Sequence, residues 1–233
     1  MTLSTGFNGL ALSSDAGRSM IRRGGSFPLN ALLAVGAVVM LFARLVPLAH
    51  ADTGDSAMTV TQTMVNHALE IMANKATPLQ QRRRQLRQGV ESNFDFTEMS
   101  RSALGYNWRS LTPDQRAKFT QLFTSFIEDA YLSKIQDYSG QQVQFQGETS
   151  LGQGYTQINT NIVQPGKNPI AVNYLLLQKD NGWKIYDVTV DAISIIANYR
   201  NQFNRVINEK GFDQLMAELQ AKQQQLASLL GEG

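Results

Sequence analysis

Asp187 is the carboxylate best placed in this chain to do chemistry. Across Trp183-Lys184-Ile185-Tyr186-Asp187 the residues alternate with the two-residue period of a strand, which puts Asp187 on one face with Trp183 and Ile185. A carboxyl group on an apolar sheet face can have its pKa pushed up and serve as a general acid or base. It can equally be an acceptor for the following turn, or a structural partner of Arg200, because buried polar groups find hydrogen bonds. Asp191 reads more simply, as the N-cap of a helix beginning at Ala192. The other concentration of charge is Arg82, Arg83, Arg84 and Arg87. It reads either as a solvated helix face or as a patch that docks a partner or an anionic headgroup.

Little else in the composition supports catalysis. The chain has no cysteine and two histidines, of which only His67 lies beyond residue 51. That leaves no basis for thiol chemistry, a histidine-based triad or a zinc site built from several histidines. No glycine-rich phosphate loop is present. The expectation is a non-enzymatic protein with no cofactor and no metal.

Residues 1–51 have the character of a secretory leader. Arg18, Arg22 and Arg23 precede an apolar run over residues 29–42, and Ala49 and Ala51 give small side chains where a signal peptidase needs them, with cleavage after Ala51. Arg44 cuts the run at about 14 residues, short of the roughly 20 that span a bilayer, so a cleaved leader is favoured over an anchor. The net charge of +2 belongs largely to this segment: four of the 21 basic residues (Arg18, Arg22, Arg23, Arg44) and one of the 19 acidic ones (Asp15) fall within it. The remainder is close to neutral, which removes the case for non-specific nucleic-acid binding. An exported, cysteine-free chain points to a bacterial periplasm and to a fold held by an ordinary core.

The elements that would position these residues follow in order. Met64, His67 or Ala68, Ile71 and Met72 keep helical spacing up to Pro78, and a second helix covers residues 80–90. A short helix with a turn at Gly105 comes next. Thr112-Pro113-Asp114-Gln115 then supplies a capping box with proline at the first helical position. The long helix it opens carries Phe119, Phe123, Phe126 and Ile127 on one stripe and is expected to run to a glycine stop at Gly140. Strands are read over residues 141–147, 154–163, 170–179 and 183–190, the last two joined by the tight-turn signal Asp180-Asn181-Gly182. The final strand passes into a helix carrying Ile193, Ile196 and Phe203. A last helix after Gly211 becomes polar from about residue 222 and is expected to fray. Helices, then consecutive strands, then helices predict one α+β domain over residues 52–233, a four-stranded antiparallel sheet covered on one face by helices.

Several motifs carry a resemblance. Phe94-Asp95-Phe96 with Met99-Ser100-Arg101, Leu104-Gly105-Tyr106-Asn107-Trp108, Leu111-Thr112-Pro113 with Gln115-Arg116 and Phe119, and Tyr186-Asp187-Val188 with Ser194, Asn198-Tyr199-Arg200 and Phe203 together resemble the MlaC family, also called the toluene-tolerance Ttg2D family. They span nearly all of the chain beyond the leader, in order. Ala192 departs from the glycine many relatives carry there.

The resemblance implies a curved sheet with an apolar cavity between it and the helices, in which a periplasmic carrier holds phospholipid acyl chains. It implies exchange with an inner-membrane ABC transporter bearing an MCE-domain protein and with an outer-membrane lipoprotein-porin complex, in the pathway that maintains outer-membrane lipid asymmetry. A branch of the family associated with hopanoid synthesis makes a hopanoid a second possible cargo. An enzyme using Asp187 and a cargo-free adaptor docking through the arginines are the competing functions. On the carrier reading the expected tail-lining residues are Phe94, Phe96, Met99, Phe123, Phe126, Ile127, Val143, Ile158, Val172, Tyr174, Leu176, Trp183, Ile185 and Ile196.

Overall fold

The computed structural model describes residues 55–231; the leader and its cleavage site after Ala51 lie outside the described residues. Six helices, α1 (Ala57–Ala73), α2 (Leu79–Asn93), α3 (Phe96–Leu104), α4 (Pro113–Leu132), α5 (Ile195–Lys210) and α6 (Phe212–Leu230), accompany an antiparallel sheet of β1 (Gln142–Gly152), β2 (Tyr155–Val163), β3 (Ile170–Lys179), β4 (Gly182–Val190) and β5 (Ile193–Ser194). The strands lie side by side in sequence order. The α+β class holds. The sheet has five strands rather than four, because Ile193 and Ser194 fold back to pair with Val190 and Thr189.

That fifth strand depends on the turn before it. Asp191 and Ala192 both adopt positive φ, 47° and 66°, as a two-residue hairpin between right-twisted strands requires. The helix therefore begins later than the sequence suggested. Asp191 is not its N-cap but accepts from the Ala171 amide at 3.2 Å. The cap is Ser194, whose hydroxyl accepts from the Ala197 amide at 2.8 Å.

A bulge corrects the reading of β4. Leu175 pairs with Asp187 and Leu176 with Ile185, so Tyr186 is an extra residue with no partner on β3. An inserted residue reverses which face the later side chains take. Ile185 on one side of it and Val188 and Val190 on the other consequently enter the same buried cluster.

Two separate cores result. Phe119, Phe123, Phe126, Tyr199 and Phe203 interlock at ring separations of 5.5 to 6.5 Å in a cluster made mainly by helices, with Met99, Leu104, Leu215 and Leu219. The second core lies between the sheet and α1, where Ile158, Val172, Leu176 and Ile185 meet Val65, Leu69 and Met72. Helix α4 stops at Leu132 with Ser133 as its C-cap, and a 3-10 turn over Ile135–Asp137 buries Ile135, so Gly140 is not its terminator. The Gly105 turn follows expectation. It has φ of 56°, and a Cβ there would stand 3.2 Å from Cδ of Arg200.

The chain's end and its arginines also depart from the sequence reading. Helix α6 does not fray at residue 222, since Leu226 and Leu230 are buried. Nor do the arginines form a solvated face, for only Arg84 of the four is exposed. Arg82 donates to the carbonyls of Met72 and Thr77, both at 3.1 Å, and Arg83 to that of Leu230 at 3.0 Å. Cationic donors thus close the C-terminal ends of α1 and α6, where carbonyls lack intrahelical partners.

Candidate functional site

An apolar cavity of about 230 Å³ lies where the two cores fail to meet. Val65, Leu69, Met72, Ile135 and Val188 reach it from the sheet-side core, and Met99, Ile127 and Ile196 from the helical core. Helix α2 lines it with Leu86 and Val90, and Met64, Ala68, Tyr131 and Tyr174 complete much of the wall. Three of these are methionines, unbranched and polarisable side chains suited to irregular or variable occupants.

The local sequence explains why this space persists. Helix α2 is mostly polar and has glycine at residue 89, so it offers the cavity a thin apolar edge in place of a filling stripe. At its end the chain turns onto the sheet. Phe94 forms a parallel bridge with Ile185, and the Asp95 amide donates to the Ile185 carbonyl at 2.8 Å. Asp95 then caps α3 by accepting from the Glu98 amide at 3.0 Å, and its carboxylate pairs with Lys179. This joint holds Phe94 and Met99 against the same cavity.

Charge enters the wall at one place. Arg87 reaches from α2 to Glu128 at 3.3 Å and Asp129 at 2.7 Å, both on α4. Arg87 and Glu128 line the cavity, and Gln223 of α6 donates to Asp129 at 2.9 Å. Burial pushes the Glu128 carboxyl up to about 7; Arg87 opposes that rise, whereas Glu91 and Asp129 add to it. The buried phenols of Tyr131 and Tyr174 are also raised by burial, so both remain protonated donors near neutrality.

Of the fourteen side chains expected to line a tail pocket, Phe94, Met99, Ile127, Tyr174 and Ile196 border the cavity. The other nine are placed elsewhere. Phe123 and Phe126 are wholly buried in the helical core, with Phe96 packed on it. Ile158, Val172, Leu176 and Ile185 fill the sheet-side core, and Val143 and Trp183 pack on its edge. Sequence reading missed the α1 contribution. Its signal was the Met64, Ala68 and Met72 spacing, which looks the same whether a helix stripe faces packed core or a void.

Asp187 stands outside the cavity wall. Its oxygens accept from the amides of Val188 at 2.8 Å and Ile196 at 3.2 Å, and from the Ser194 hydroxyl. Burial raises its pKa, against the opposing pull of those donors and of Arg200. Arg200 acts on Asp187 through its charge, without an ion pair in direct contact among the described residues, and hydrogen bonds to Asp187 tie β4 to the start of α5. Among the described residues no cluster of three or more His, Asp or Glu could hold a metal, and no helix is long and apolar enough to cross a membrane.

Comparison with known proteins places this architecture. The family model described as MlaC protein matches residues 62–221. Over 122 residues the chain is 31% identical to the intermembrane phospholipid transport system binding protein MlaC of Haemophilus influenzae. That alignment covers 50% of this chain and 56% of the relative, so the chain spans little more than half the length of the curated relative it matches. The fold is similar to that of a phospholipid-binding protein from Ralstonia solanacearum solved in complex with a phospholipid, at a TM-score of 0.67 and 25% identity, covering 74% of this chain and 99% of that one.

Proposed function

The chain belongs to the MlaC family, and from that premise we propose that it is a lipid carrier that holds phospholipid acyl chains in the cavity between its two cores. The observation that carries this reading is the apolar void itself, walled by residues from α1 through α5 within the matched region. Each methylene removed from water contributes about 0.8 kcal/mol, so a diacyl lipid leaves a membrane at a useful rate only if a comparably apolar interior receives it.

The cavity is partly open to solvent and, at about 230 Å³, smaller than the roughly 300–1,000 Å³ of ordinary ligand pockets, so a diacyl lipid would widen it on loading.

The carrier would act in the periplasm after export by the leader. It would pass lipid between an inner-membrane ABC transporter bearing an MCE-domain protein and an outer-membrane lipoprotein-porin complex, helping to maintain outer-membrane asymmetry. Support for this setting is the MlaC relationship, with the Haemophilus influenzae relative named as part of an intermembrane phospholipid transport system. Catalysis by Asp187 is disfavoured by its place outside the cavity wall and by the hydrogen bonds its oxygens already accept.

Native mass spectrometry of the purified mature protein, followed by organic extraction, tests the reading. Copurifying phospholipid is expected; a hopanoid would reassign the cargo, and a lipid-free protein that takes up nothing from vesicles would leave only the adaptor.

A further inference from the structure

The charged wall of the cavity contains an acceptor without a donor. Glu128 is 6% exposed and lines the cavity. Its Oε2 is served by Arg87 at 3.3 Å, but its Oε1 is buried with no hydrogen-bond partner among the described residues. A carboxylate oxygen left this way is costly, and a cationic donor relieves the cost about twice as well as a neutral one. We propose that Glu128 is a headgroup-reading residue, with Oε1 accepting from the primary ammonium of an ethanolamine-type phospholipid.

This rests on the carrier reading, because the surrounding wall is apolar and favours an amine delivered on acyl chains over a free cation. The charges facing Glu128 are Arg87 and Glu91 from α2 and Asp129 from its own helix; His67 of α1 lines the same cavity, and α6 presents the neutral amide of Gln223 to Asp129. Glu91 and Asp129 favour an approaching cation. They disfavour the phosphate or an added anionic group, so a lipid with a net negative headgroup gains less.

The test is a competition. Delipidated protein is equilibrated with vesicles containing equal amounts of ethanolamine-headgroup and glycerol-headgroup phospholipids of matched acyl chains, and the bound species are counted by native mass spectrometry. At pH 8 the ethanolamine lipid should be enriched about fivefold. Wild-type enrichment should fall toward equality at pH 5.5, where the carboxyl, raised to about 7, is protonated before a ligand arrives; this arm needs no variant to fold. Glu128→Gln should bring the ratio of the two bound lipids to equality at pH 8, read as a ratio within the lipid-loaded fraction.

Equal loading of the two lipids by wild type at pH 8 overturns the assignment and leaves the carrier reading intact. Failure to load either lipid overturns both. Thermal stabilisation by ethanolamine alone, without headgroup enrichment, would mean a free-amine site and also overturn it.

Discussion

Arg83 donates from Nη1 to the carbonyl of Leu230 at 3.0 Å, joining the second helix to the last residue of the last helix. Gln80 donates to the same oxygen at 2.6 Å. Two donors from α2 therefore anchor a segment whose composition from residue 222 looks like a polar tail. Leu226 and Leu230 lie buried beneath it. Replacing Leu226 with alanine should lower unfolding stability by about 2–4 kcal/mol, the usual range for a buried leucine. Urea denaturation measures it, and a change under about 0.5 kcal/mol would mean that the tail is frayed in solution.

Ala192 holds a φ of 66° in the turn between β4 and β5. A Cβ is strained there and glycine is not, so Ala192→Gly should raise stability by about 0.5–1 kcal/mol. Thermal and urea midpoints should rise together.

Glu128 supplies a pH signature. Its folded-state carboxyl sits at about 7 against an ordinary 4.5, so the folded protein binds the extra proton between these values. Its stabilising contribution is complete below about pH 4.5 and is lost as pH rises through about 7, a fall of about 3 kcal/mol at 1.4 kcal/mol per unit. Urea midpoints taken from pH 5 to pH 8 should show this fall in the wild type. Glu128→Gln should flatten it, and an unchanged slope in the variant would assign the titration to another group.

Asp187→Asn tests structure against chemistry. The carboxylate accepts two amides and the Ser194 hydroxyl at the β4–α5 junction. The amide offers one acceptor oxygen and two donors, so the variant should lose about 1–3 kcal/mol of stability yet still copurify with lipid. Loss of lipid from a variant that remains folded would restore a functional role for this residue.

Much of the fold was legible because local signals agreed. The capping box at Thr112 and Gln115 forms as read, with bonds of 2.9 and 3.2 Å in its two directions. Alternation in β2 appears as buried Thr156, Ile158, Thr160 and Ile162. What escaped reading depends on contacts distant in sequence. The bulge at Tyr186 is defined only against β3, and the burial of Arg82 and Arg83 only against the carbonyl ends of α1 and α6. The site was the least legible part. Phe123 and Ile127 occupy one stripe of α4, four residues apart, yet Phe123 meets Tyr199 and Phe203 whereas Ile127 meets the void. No periodicity separates a filled neighbour from an empty one.

The most direct measurement is the amount of phospholipid bound per molecule by wild type and by Ala68→Phe, read by native mass spectrometry after both are incubated with the same vesicles. Ala68 lines the cavity from a partly exposed helix position, so the larger ring occupies tail space while the fold is retained. One lipid on the wild type and little or none on a folded Ala68→Phe is the predicted result. Equal lipid on both proteins would contradict it, placing the cargo outside the space between the two cores.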